Sequence, residues 1–241
     1  MINIAISLGT AIVLTLLLAM IHVHLAIGIP LGLLVGFALF IFLGRKVQER
    51  MEQLMAQMQK DIQAGKIDRA IDTLKSGYSL KHRHILVASQ LNSQIGTLYF
   101  LKKDHDKALE YLKKGFIKHY VGQGMMAVIY FKRKDYETMK KVLEATIQAS
   151  KKESICYSLY AYLLYQLKQK DEAVAILQKG LKKLPEDEKL RVNLTQLQNN
   201  KKMKMKAYGD LWVQFMLERP PRIMQAPPRH MMRVKKKAMF R

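Results

Sequence analysis

Acidic side chains are scarce in this 241-residue chain: 19 Asp and Glu stand against 41 Lys and Arg, a formal charge of +22. Cysteine is nearly missing. Cys156 stands alone, which excludes a disulfide-built secreted module. Between residues 45 and 200 the one proline is Pro185, so little there interrupts a helix. The sharpest absence is positional. Residues 1–44 contain no Asp, Glu, Lys or Arg. That segregation excludes one uniform soluble domain and an acidic disordered chain.

What fills the uncharged head is two apolar runs, residues 3–21 and 25–43, separated by His22, Val23 and His24. As a helix each run is about 28 Å long, close to the hydrocarbon thickness of a bilayer. The short connection predicts a tight transmembrane hairpin over residues 1–44. A cleaved signal peptide, the main competitor, wants a basic n-region that Met1-Ile2-Asn3 lacks. A single bent or re-entrant segment is the other alternative. Arg45, Lys46 and Arg50 follow the second run, and nothing basic sits in the connection. The positive-inside rule then places residues 45–241 in the cytoplasm. A bacterial inner membrane is the expected setting, since nothing in the sequence points to an organelle. His22 and His24 have no nearby carboxylate or thiol and read as interfacial residues. Gly28, Gly32 and Gly36 form a small-residue face able to pack spans within the hairpin or between chains.

The charged remainder repeats. Residues 100–115, 131–146 and 165–180 align without gaps, and residues 63–77 are a weaker copy. Each has a charged turn, a small or flexible residue, then an apolar residue four later. The pairs are Ala70/Leu74, Ala108/Leu112, Met139/Leu143 and Ala173/Leu177. Glycine follows three residues on in three copies, as Gly77, Gly115 and Gly180. The anchors lie 38, 31 and 34 residues apart, and helical periodicity runs through each copy.

Twelve residues before three of the anchors stand Gly96, Ala127 and Ala161, and nine before stand Tyr99, Tyr130 and Leu164. With this period and these small and aromatic positions, residues 51–187 resemble the tetratricopeptide repeat, a helix–turn–helix unit. Departures are Asn92, Gln123 and Tyr157 where the family has an early tryptophan, and Met58 where the first copy should be small. The resemblance implies an all-α chain with a helical-repeat domain at 45–199 forming a superhelix, closed by a capping helix after Pro185. It also implies a concave groove lined by the first helix of each repeat. Carried over, the lining is Ser93, Thr97 and Phe100; Gly124, Val128 and Phe131; Ser158, Tyr162 and Tyr165. The carboxylate-clamp variety of the family places Lys, Asn and Arg where this chain has Ser, Thr, Gly, Val, Ser and Tyr, so that function does not transfer. The aromatic row Phe100, Phe131, Tyr165 suits an apolar or amphipathic peptide, or serves as core.

Val47, Met51, Leu54, Met55, Met58 and Ile62 keep helical spacing straight out of the second apolar run, and Gly65 is the first breaker. One unbroken helix from the hairpin into the first repeat is therefore expected.

Residues 200–241 form a basic tail holding Pro220, Pro221, Pro227 and Pro228, a composition expected to be extended. Inside it, Leu211, Trp212, Phe215 and Met216 share one face of an expected helix over 208–218. That piece could dock on the repeats, on another protein, or on lipid. Lys201, Lys202, Lys204 and Lys206, with Arg233, Lys235, Lys236 and Lys237, could meet anionic headgroups.

No catalytic, cofactor or metal constellation emerges. His82 and His84 lie in a basic stretch without an acid. Asp104-His105-Asp106 falls in an inter-helix turn, and Cys156 lies on an apolar helix face, as a structural thiol would. The leading expectation is a membrane-tethered scaffold that binds other proteins through its repeats, with no enzymatic role. The alternatives are electrostatic binding to nucleic acid, ribosomal RNA included, and an accessory subunit of a membrane complex.

Overall fold

A computed structural model describes residues 2–218. The chain divides into two compact units, Met1–Cys156 and Tyr157–Arg241. Among the described residues every regular element is helical.

The first unit opens with α1 (Ile2–Met20) and α2 (Leu25–Gln63), joined by a turn in which His22 takes a positive φ of 59°. Both are long and apolar enough to cross a membrane. Their packing is inside out compared with helices of a water-soluble core. The buried positions are Asn3, Ser7, Ala11, Gly28, Gly32 and Gly36, whereas Ile12, Leu16 and Phe37 are more than half exposed. The glycines let the backbones touch. A Cβ on Gly32 would lie 2.7 Å from the carbonyl oxygen of Ala11, and one on Gly36 would lie 2.8 Å from that of Ser7. The small-residue face is thus used within the hairpin.

α2 does not stop where the apolar run ends. It continues through Arg45 and Lys46 to Gln63, 39 residues in all, as the spacing predicts. Over its last five turns Val47, Met51, Leu54 and Met58 are buried. The end of α2 packs against α3 (Ile67–Ser76), forming the first helix pair after the apolar hairpin. Asp61 locks this pair. Its buried carboxylate accepts from Gln57 Nε2 at 3.2 Å and Thr73 Oγ1 at 3.3 Å, and it meets Arg69 Nε at 3.5 Å. Every oxygen of this buried anion is therefore matched.

After a 3-10 turn at Gly77–Leu80 come α4 (Val87–Leu101) and α5 (His105–Lys113), then α6 (Tyr120–Lys132) and α7 (Tyr136–Ala149). Each pair is an antiparallel hairpin, and α4 also packs on α6. The anchors Ala70, Leu74, Ala108, Leu112, Met139 and Leu143 are all within 1% of full burial. The turns recur in the same register. Gly65, Lys103 and Lys134, each five residues before its anchor, take positive φ values of 72°, 65° and 62°. Asp104 and Asp135 then cap the second helices, accepting from Lys107 N at 3.2 Å and Thr138 N at 3.1 Å. The glycines seven residues after Ala70 and Ala108 make room for a neighbour: a Cβ on Gly77 would meet Leu54 Cδ1 at 2.7 Å, and one on Gly115 would meet Ser93 Oγ at 2.7 Å.

α8 (Ser154–Gln166) contains the boundary between the units. The second unit continues with α9 (Lys170–Lys183) and α10 (Glu188–Gln198), which pack on each other. Lys168, five before Ala173, repeats the left-handed turn at φ 64°. α10 begins after Pro185 with Asp187 as its cap, accepting from Leu190 N at 2.8 Å. A 3-10 turn at Met205–Tyr208 and one helical turn, α11 (Asp210–Val213), complete it. The helix expected over 208–218 is thus shorter than its periodicity suggested. Gly209 at φ 58° breaks it at the start and Met216 at φ 51° at the end, because ring packing rather than helical propensity shapes this segment.

Candidate binding grooves

The first unit carries a groove where the end of α2 faces α4. Met51, Met55 and Phe116 form its apolar floor. Gln48, Glu52, Gln90, Gln94 and Lys118 form a polar rim, and Ser93 and His119 close it, enclosing about 440 Å³. The flexible methionines can adapt to an apolar side chain, and the rim amides can both donate and accept.

The segment that closes the groove is held by α4. Ser93 Oγ donates to Ser89 O at 3.0 Å and accepts from Phe116 N at 2.7 Å. Asn92 Nδ2 donates to Lys114 O at 3.2 Å, while its Oδ1 accepts from Tyr78 OH. His119 is the cap of α6, its Nδ1 accepting from Gly122 N at 3.1 Å. That bond needs the Nδ1 lone pair, so Nε2 carries the proton and Gln94, 3.4 Å away, must present its carbonyl oxygen there. Burial holds the His119 pKa below its ordinary 6.5. The folded state therefore favours neutral imidazole. Its contribution to stability is complete above pH 6.5 and is lost as pH falls from there toward the lower folded value. Between pH 7.5 and 5.5 the melting temperature of the wild type should fall more than that of His119→Asn, which keeps a cap but cannot titrate. Equal pH slopes would refute the assignment.

Of the residues carried over from the repeat pattern, Ser93 lies at this groove, with Thr97 one turn on, donating from Oγ1 to Ser93 O at 2.9 Å. Phe100, Gly124 and Val128 are buried in the array. Phe100 sits beside His105 at 5.5 Å with Lys132 Nζ 5.6 Å from its ring centroid, so it is core. Phe131 is half-buried against Tyr136. The contributions of Gln48, Met51, Glu52 and Met55 went unread because α2 was not counted among the groove helices. The unbroken spacing of 47–62 was the signal that it should be.

In the second unit the tail covers α8. Tyr208 OH shares a hydrogen bond of 2.8 Å with the fully buried Ser158. Trp212 meets Tyr162 edge to face at 4.7 Å and Phe215 at 6.2 Å, and Lys204 N donates to Asn193 Oδ1 at 2.7 Å. Trp212 and Phe215 are buried, and Leu211 and Met216 half-buried. Burial, then Glu218, pushes the Tyr162 phenol up to about 12. Tyr162 and Tyr165 also line a shallow depression of about 630 Å³ with Lys168, Lys170, Lys202 and Glu218. Lys201, Lys202, Lys204 and Lys206 are exposed. Arg233, Lys235, Lys236, Lys237 and the four tail prolines lie outside the described residues.

Other polar clusters have structural partners. Asp106 pairs with Arg133 at 2.5 Å while Asp104 caps α5. Cys156 is buried, and burial followed by the Glu153 charge pushes its thiol up to about 12. Among the described residues no group of three His, Cys, Asp or Glu could hold a metal ion.

The family model described as tetratricopeptide repeat matches residues 89–116 and 155–182, the segments of α4–α5 and α8–α9. The chain carries tetratricopeptide repeats. Two solved structures similar to it are the MamA RS-1 ArsTM double mutant, with a TM-score of 0.47, and MamA 41-end from Desulfovibrio magneticus RS-1, at 0.45. Each is 19% identical, covering 69% of this chain and 93% of its own. No curated protein matches the sequence. Such repeats support a protein–protein interaction scaffold.

Proposed function

We propose that this protein is a membrane-tethered adaptor. The apolar hairpin anchors it in a bacterial inner membrane with the repeats on the cytoplasmic side, and the α2–α4 groove takes a segment of a partner polypeptide. The observation that carries the tether is the inside-out hairpin, with glycine, alanine and serine buried and large aliphatic side chains exposed. Water would not tolerate that surface, whereas lipid favours it. Arg45 and Lys46 at its end support the orientation. The groove fits a peptide presenting an apolar side chain between polar ones: methionines and Phe116 receive the first, and the glutamine rim pairs with the main chain. The role of the described repeats is binding rather than chemistry.

Two measurements test this reading. Alkaline carbonate extraction should leave the chain in the membrane pellet; recovery in the supernatant would remove the tether. A photocrosslinking residue at Gln90 should capture a discrete polypeptide in living cells, and the further change Met55→Glu, a charge on the groove floor, should abolish capture. Capture indifferent to Met55→Glu would show that the groove is not the binding site.

A further inference from the structure

Among connections between consecutive helices from α2 to α10, the one between α3 and α4 is the longest, residues 77–86, against 114–119 and 150–153 at the other repeat junctions of the first unit. It is also where the anchor spacing stretches to 38 residues, from Ala70 to Ala108. The extra length is not slack. Lys81 N donates to Tyr78 O at 3.0 Å, Arg83 N to Leu80 O at 2.9 Å, and Leu86 N to His84 Nδ1 at 3.3 Å. Yet this ordered loop leaves Ile85 61% and Leu86 37% exposed, directly after exposed Lys81 and Arg83, while Val87 is 2% exposed and fixes its base.

Its position is fixed by one bond. Ile2 N, at the start of α1, donates to His82 O at 2.8 Å. The hairpin register gives the level: Gly36 faces Ser7 and Ala11, Gly32 faces Ala11 and Thr15, and Gly28 faces Leu18. Continued, it sets Ile2 opposite residues 43–44, beside Arg45 and Lys46. The loop therefore lies at the end of the apolar zone. No residue from 73 to 103 is acidic, so the surroundings in sequence are uniformly positive.

We propose that residues 81–86 form a lipid-contacting hook: Lys81 and Arg83 rest on anionic headgroups while Ile85 and Leu86 enter the interface. The proposal rests on the tethered reading above. A lipid surface suits this patch better than a protein because basic and apolar residues are adjacent, at the level where headgroups meet acyl chains. Because the turn is already ordered, insertion costs little further conformational freedom. The hook would fix the first repeat against the bilayer at a second point, away from α2.

The test uses the full chain in a Cys156→Ala background, reconstituted in phosphatidylcholine vesicles with or without phosphatidylglycerol. An environment-sensitive fluorophore is attached at Ile85→Cys, at Leu34→Cys in the hairpin, or at the exposed Lys141→Cys, and lipid-borne quenchers report contact with acyl chains. Leu34 should be quenched in both vesicles and Lys141 in neither. Ile85 should be quenched strongly only with phosphatidylglycerol. Each Lys or Arg near an anionic surface is worth roughly fivefold in binding, so Lys81→Glu with Arg83→Glu should reduce the Ile85 contact equilibrium more than tenfold. Quenching at Leu34 without quenching at Ile85 would overturn the hook and leave the tether standing. Absence of quenching at Leu34 would overturn the tether itself. Quenching at Ile85 that ignores both lipid charge and the double variant would overturn the headgroup contact.

Discussion

Gly36→Leu should be among the most damaging single substitutions in the first unit. A Cβ alone at this position lies 2.8 Å from the Ser7 carbonyl oxygen and 2.9 Å from the Ala11 Cβ, and neither can retreat without parting the helices. Overpacking typically costs about 1–3 kcal/mol, and the close-packed seam is the principal contact between α1 and α2. Detergent-solubilised Gly36→Leu should melt several degrees below wild type, with Gly36→Ala in between. Gly9 and Gly44 supply the control, because a Cβ at either meets nothing within 4 Å. Their alanine variants should match or slightly exceed wild type, since alanine favours a helix. Equal behaviour of all three positions would mean that the seam is not what joins the helices.

Trp212→Ala should have the corresponding effect in the second unit. The indole is 3% exposed and packs edge to face on both Tyr162 and Phe215. Truncating a buried Trp or Phe to alanine costs about 3–5 kcal/mol. The tail should then detach from α8, uncovering Tyr162, so the variant should melt lower and bind a hydrophobic dye that the wild type ignores. As the single tryptophan, Trp212 also reports on its own docking: in Tyr162→Ala its emission should shift to longer wavelength. An unchanged spectrum and no dye binding would count against cis docking.

The repeats were legible because their signals are local and periodic. Small anchors such as Ala108 and Ala173 recur with leucine one turn later, and burial follows from that spacing alone. The unbroken run of Val47, Met51, Leu54 and Met58 likewise foretold α2. Other features were hidden for physical reasons. Lys103, Lys134 and Lys168 hold left-handed turns without the glycine or asparagine that would announce them, so neighbouring helices impose the conformation. Phe100 occupies a groove position by pattern yet is fully buried, because Lys132 and His105 close over it. The short α11 departs from its periodicity because aromatic contacts with α8 outweigh helix propensity over one or two turns.

The uninterrupted length of α2 acts as a ruler. At a rise of about 1.5 Å per residue, the stretch from Gln48 to Met55 stands roughly 6–17 Å beyond Gly44. In the proposed tether, a rod of this kind would neither lower its groove toward the bilayer nor raise it toward distant cargo. With the hairpin in lipid, as proposed, ligands would be sorted by height: segments of other polypeptides that emerge close to the same membrane would reach Met51 and Phe116, while a matching sequence tens of ångströms into the solvent would not.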